Sequence, residues 1–131
     1  MTFVDTNYFL RFLLKDNTVQ HEVARKLFKD GATGSKELIT SIIVFFEIYW
    51  VLSSFYGKKK EELLAVLHNI MSMSFVKINE RELLEEALVL FSKENLSLED
   101  CYNLVYAKGQ KSEEFLTFDQ RLSRQYKASP E

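Results

Sequence analysis

Apolar positions recur along the chain at two spacings, and the alternation between them lays out the elements. Short apolar runs open at residues 2–4, 38–40, 75–78 and 115–118. They are too short for helices and suit buried strands. Between them apolar residues return every three or four positions, as one buried helical face requires. Leu63, Leu64, Leu67 and Ile70 do so within 59–71, and Leu83, Ala87, Leu88 and Phe91 in the next helix. Further helices are predicted over 8–14, 19–29, 42–56 and 98–108, with a short basic one after Asp119 that contains Arg121 and Arg124. Asp5-Thr6-Asn7, Ser41, Asn79 and Ser97 stand where N-caps belong, while Asp30-Gly31 and Gly57 supply stops. Strands alternating with helices predict an α/β domain, three layers α/β/α around a short central parallel sheet. No repeat, low-complexity run or linker divides it, so residues 1–131 read as a single domain.

Composition narrows the function classes. The chain is 47% apolar with a net charge of −2, which excludes a disordered segment. A pI near 5.8 argues against a protein that grips nucleic acid by bulk positive charge. One cysteine, Cys101, permits no intrachain disulfide and no cysteine zinc cluster, which suits a reducing cytoplasm. The longest apolar stretch, 42–52, is interrupted by Glu47 and falls short of the roughly 20 residues that span a bilayer. The start carries no basic leader, so a soluble protein without a membrane partner is expected.

Four of the 19 acidic residues sit where solvent is not the obvious explanation. Asp5 ends the first predicted strand and Asp119 the last. Glu47 lies among ten apolar neighbours, and Asp100 opens a helix whose Leu104, Val105 and Ala107 read as buried. Ligands of an open parallel sheet bind beyond the carboxyl ends of its strands, where Asp5 and Asp119 belong. Carboxylates gathered there repel one another unless a cation neutralises them, and Mg²⁺ and Mn²⁺ favour such oxygen ligands. Each acid also has a plainer role. Asp5 and Asp119 suit helix caps and Asp100 a first-turn acid. Glu47 suits a buried ion pair with Arg11 or Lys15.

The ordered set Phe3-Val4-Asp5-Thr6-Asn7, Glu47, Asp100 and Thr117-Phe118-Asp119 resembles the PIN-domain ribonucleases, and within them the VapC toxins of toxin–antitoxin pairs. The resemblance spans essentially the whole chain. It implies Mg²⁺- or Mn²⁺-dependent cleavage of single-stranded or loop RNA, a homodimer, and inhibition by a VapB antitoxin. Carried over, Asp5, Glu47, Asp100 and Asp119 are the acidic metal and catalytic site, with Asn7 and Thr117 as polar supports that orient a carboxylate or a water. The chain departs from the family in Cys101 and Asn103, where small or apolar residues are usual, which leaves Glu99 a rival to Asp100. The brief tail after Arg124 leaves little chain for the family's final strand.

Other classes fit less well. A haloacid-dehalogenase-type phosphatase wants a second Asp two residues after the first, where this chain has Asn7. A receiver domain wants an early acidic pair, and no glycine-rich loop cradles a phosphate. A non-catalytic PIN-like module that binds RNA or protein is the remaining alternative. His21 and His68 have no paired nucleophile and read as packing or surface residues, and Lys58-Lys59-Lys60 as a solvated helix start in preference to an RNA contact. Arg11, Lys15, Arg121 and Arg124 either flank the acids and meet an RNA backbone or form a solvated face. The aromatic run Phe45, Phe46, Tyr49, Trp50, Phe55 and Tyr56 exceeds one buried stripe and reads either as plain core or as contributing in part to a dimer or antitoxin surface.

Overall fold

A computed structural model describes residues 1–128. Along the chain run β1 (Thr2–Phe3), α1 (Thr6–Leu14), α2 (Thr18–Ala32), β2 (Leu38–Ile39) and α3 (Ile42–Trp50). A π-helical turn (Val51–Phe55), α4 (Lys60–Ser72) and β3 (Val76–Lys77) follow, then α5 (Arg81–Lys93), α6 (Leu98–Gly109) and α7 (Gln120–Ala128). The expected class holds: helices dominate, and a three-stranded parallel sheet in the order β1-β2-β3 accompanies them. Contacts cluster into two compact units, Met1–Glu80 and Arg81–Glu131.

In the first unit the sheet is minimal, each strand contributing two ladder residues. Thr2 stands opposite Leu38 and Phe3 opposite Ile39, while Leu38 and Ile39 stand opposite Val76 and Lys77. Parallel neighbours require long crossovers, which α1–α2 and α3–α4 provide. The carboxyl end of β1 is tied down by the Val4 N–H, which donates to the Ile39 carbonyl at 2.8 Å. It is tied again by the Thr40 hydroxyl, which donates to the Val4 carbonyl at 2.8 Å. Two of the expected caps form: Ser41 Oγ accepts the Val44 N–H, and in the second unit Ser97 Oγ accepts the Asp100 N–H. Asn79 does not take the cap position, because α5 begins two residues later, after Glu80 turns through a left-handed φ of 59°.

The core of this unit is Val4, Phe9, Phe28, Leu38, Phe45, Ile48, Leu52 and Leu67, all nearly sealed from solvent. Phe9 and Phe12 each meet Phe28 at about 5 Å between ring centroids. His21 stacks on Phe12 at 5.9 Å with Nδ1 against the Arg11 carbonyl, so it is a packing residue. Gly31 lies close to β2: a Cβ there would meet Leu38 Cδ1 at 2.5 Å and Leu38 Cγ at 2.9 Å. Leu38 is fully buried and has nowhere to retreat. Gly31→Val is expected to destabilise by about 1–3 kcal/mol through overpacking. A urea midpoint equal to wild type would show that β2 yields instead.

The second unit packs α5 on α6 through Leu84, Ala87, Leu88, Phe91, Leu98, Cys101 and Leu104. Leu84 rather than Leu83 carries the buried stripe of α5. Val105 and Ala107, expected inside, are half-buried, and the Cys101 thiol is buried and free.

Residues 115–118 form an irregular loop, not the strand expected from their composition. Phe115 packs on the Tyr126 ring at 5.2 Å, whereas Leu116 and Phe118 are exposed. Side chains alternate inward and outward as in a strand, but no ladder forms, and the chain turns at once into α7. That helix continues to Ala128, and positions 129–131, where any final strand would start, lie outside the described residues. Among the described residues no helix is long and apolar enough to cross a membrane.

Candidate functional site

Asp5 follows directly on β1, in the N-cap position of α1 with extended backbone (φ −87°, ψ 168°), yet its side chain makes no capping hydrogen bond. It is exposed. The cap role therefore does not account for an acid at this position.

Glu47 is exposed as well, against the expectation of a buried charge. In α3 the core stripe is Val44, Phe45 and Ile48, while Ile43, Glu47 and Trp50 share the opposite face at spacings of four and three. A helix apolar on all sides hides this division, because polarity no longer marks the wet face. Neither Arg11 nor Lys15 pairs with Glu47. Its Oε1 instead accepts the hydroxyl of Thr6, a residue only 6% exposed at the first turn of α1. Thr6 thus holds the carboxylate from the side of β1. The acid-Thr-Asn run after β1 was the available signal for it.

Asp5, Thr6, Asn7 and Glu47 line one cleft of about 360 Å³ with Arg11, Trp50, Phe55 and Tyr56. The aromatic rim depends on the π-helical turn. The Tyr56 N–H donates to the Val51 carbonyl at 3.1 Å, five residues back instead of four, which advances the chain by one residue and brings Phe55 round to the cleft. Trp50 is 58% and Phe55 79% exposed. The aromatic run therefore divides: Phe45 is core, and Trp50, Phe55 and Tyr56 are surface.

Arg11 does not neutralise the cleft acids. Its Nη1 donates to both Asp16 oxygens, at 2.9 and 3.1 Å, and Tyr56 Oη donates to Asp16 at 3.4 Å. The guanidinium holds the Asp16 carboxyl below its ordinary range, and Asp16 in turn raises the Arg11 pKa. Arg11 Nε is buried and has no hydrogen-bond partner among the described residues. Lys58, expected at a solvated helix start, pairs with Glu62 at 3.5 Å.

In the second unit Asp100 is half-buried in the first turn of α6 and Glu99 beside it is exposed. Asp119 is committed structurally: its Oδ1 accepts the N–H groups of Arg121 and Leu122 at 2.9 and 3.3 Å, capping α7. Thr117 Oγ1 accepts the Asp119 N–H at 3.0 Å and so fixes the turn before that cap. Asp119→Ala is expected to cost about 1 kcal/mol in stability, the usual worth of a cap. An unchanged thermal midpoint would mean that Arg121 and Leu122 find other acceptors.

Oxygen donors from carboxylate, hydroxyl and amide groups face the first unit's cleft, a set that suits Mg²⁺ or Mn²⁺. Neither Asp5 nor Glu47 forms an ion pair among the described residues, so their charge is open to a cation. Among those residues no three carboxylate, imidazole or thiol side chains stand close enough together to hold a metal ion on their own.

A VapC ribonuclease of Aquifex aeolicus (strain VF5) is 23% identical over 124 residues, covering 95% of this chain and 91% of the relative. No solved structure matches the chain. The family model described as PIN domain matches residues 2–128, nearly the full length. With the short parallel sheet, the strand-end Asp5 and the helix-borne Glu47 in one cleft, the chain belongs to the PIN domain family.

Proposed function

We propose that the chain is a divalent-metal-dependent endoribonuclease, the toxin of a VapBC-type pair. The observation that carries this reading is the cleft beyond β1, where two exposed carboxylates, Asp5 and Glu47, stand without a cationic partner among the described residues. Family membership and the VapC relative support the same reading. On this reading Asp5 and Glu47 are the carboxylates of this cleft that would hold Mg²⁺ or Mn²⁺, and Asp100 and Asp119 are the further acids that the family resemblance implies. A bound cation would supply charge stabilisation at the phosphodiester and acidity for the attacking water.

The protein groups have separable tasks. Asp5 offers a carboxylate free of capping duty. Thr6 fixes one oxygen of Glu47 and leaves the other for a ligand or for orienting a water. Asn7 contributes an amide to the same wall. Asp119 serves α7 through Oδ1, so its contribution to a ligand rests on Oδ2, which lies 3.8 Å from Arg121 Nη2. The partners that follow are an RNA substrate, a second copy of the chain and a VapB-like antitoxin, with a cytoplasmic setting.

The test is incubation of the purified protein, free of antitoxin, with total cellular RNA and Mn²⁺ or Mg²⁺, with and without chelator. Fragments that appear only with the ion support the reading. Cleavage that persists in chelator removes the metal from it, and intact RNA under all conditions leaves a binding module.

A further inference from the structure

The acid pair explains one wall of the cleft and leaves the other unused. That wall is aromatic: Trp50 and Phe55 are largely exposed, although each would gain by burial. Phe55 is turned to the cleft by a π-helical turn, a local irregularity that concentrates at functional sites. Tyr56 meets Phe55 edge-on at 5.2 Å and is anchored through its hydroxyl to Asp16. The same Asp16 clamps Arg11, the one basic side chain lining this cleft among the described residues. Aromatic faces beside a clamped guanidinium are the two elements by which proteins hold single-stranded nucleic acid: stacking for the base, positive charge for the backbone.

We propose that Trp50 and Phe55 form a stacking platform that seats one unpaired nucleobase of the RNA beside Asp5 and Glu47, with Arg11 contacting the adjoining phosphate. The proposal rests on the ribonuclease reading and names the residues that would position the strand. A volume of about 360 Å³ lies within the range of small-ligand pockets and suits one nucleotide. An apolar protein partner is the poorer occupant. Pressed over this rim it would bury Asp5 and Glu47 without compensation, whereas a base stacked on the aromatic wall leaves both carboxylates open to solvent and to a cation.

Trp50 is the sole tryptophan of the chain, so its emission reports directly on this wall. The protein is titrated in chelator with a short single-stranded RNA, a strand of the same length lacking bases, and an RNA duplex. Binding is followed in parallel by anisotropy of a labelled strand. Saturable quenching of Trp50 by the single strand, and none by the abasic strand or the duplex, is the expected result. Phe55→Ala and Trp50→Ala should each weaken single-strand binding about tenfold, with Trp50→Phe restoring most of it. Arg11→Gln should weaken binding of the single strand and the abasic strand alike and flatten the salt dependence.

RNA that binds by anisotropy without altering Trp50 emission overturns the proposal. So does wild-type affinity in both alanine variants. Emission that changes with protein concentration alone, together with a dimer that dissociates in Trp50→Ala, assigns the wall to a second copy and also overturns it. The ribonuclease reading is judged separately, by metal-dependent cleavage of total RNA. Undiminished cleavage by Phe55→Ala and Trp50→Ala removes the platform and leaves the nuclease standing. Base-dependent quenching without any cleavage keeps the platform and removes the nuclease.

Discussion

Replacing Asp5 with Asn is expected to reduce metal-dependent RNA cleavage about 1000-fold while leaving the melting temperature within about 1–2 °C of wild type. The two halves of this result come from the same geometry. The Asp5 side chain is exposed and makes no cap bond to α1, so the folded state loses almost nothing, in line with surface changes of about ±0.5 kcal/mol. Charge stabilisation by a carboxylate-held cation is worth several kcal/mol, and a loss of about 4 kcal/mol corresponds to about three powers of ten in rate. Asn keeps the shape and removes the charge, which separates ligand binding from packing. Initial rates on a labelled RNA and a thermal melt of the same sample check both halves. Cleavage within a few-fold of wild type would remove Asp5 from the site. A large fall in the melting temperature with the rate loss would return it to a structural role.

The opposite pattern is expected at Phe45, two residues earlier on the same helix as Glu47. Phe45 is 1% exposed and packs edge-on against Phe46 at 5.8 Å. Phe45→Ala is expected to remove about 3–5 kcal/mol, from the lost transfer of the ring and the cavity left behind. Domains of this kind hold only about 5–15 kcal/mol in total, so roughly a fifth or more of the stability goes, and the midpoint falls by roughly 10–20 °C. Guanidinium unfolding should show the drop with an unchanged slope. A change below about 1 kcal/mol would mean that Phe46 and Ile48 close the space. Trp50→Ala, five residues along on the exposed face, should leave the same curve nearly unmoved.

That contrast marks where the sequence was readable and where it was not. Helix positions followed from apolar spacing, and their starts from Ser41 and Ser97, because a cap is a local bond written in two or three neighbouring residues. The class of fold followed from strands alternating with helices. The orientation of α3 did not follow, since a helix apolar on every side gives the pattern no contrast. Glu47 was singled out because burial there would be costly, yet it lies on the wet face and keeps its place through Thr6. Residues 115–118 have the composition of a strand, but a strand exists only when a neighbour completes its ladder, and that neighbour is not written in the segment itself. Asp119 illustrates a third case: the cap reading and the ligand reading were both open from sequence, and the structure gives the cap its bonds without removing the second oxygen.

The π-helical turn after Trp50 has a consequence of another kind. In an ordinary helix each residue advances the face by about 100°, so what a position presents is set by residue count as much as by residue type. Val51–Phe55 holds one residue more than an α-helical path would need. Removing a single residue, Ser53 or Ser54, would let α3 run on regularly and swing Phe55 away from Asp5 and Glu47 with every side chain of the rim still encoded. The breadth of the cleft thus depends on chain length at one position as well as on residue type. A substitution scan of the rim would leave that control untouched.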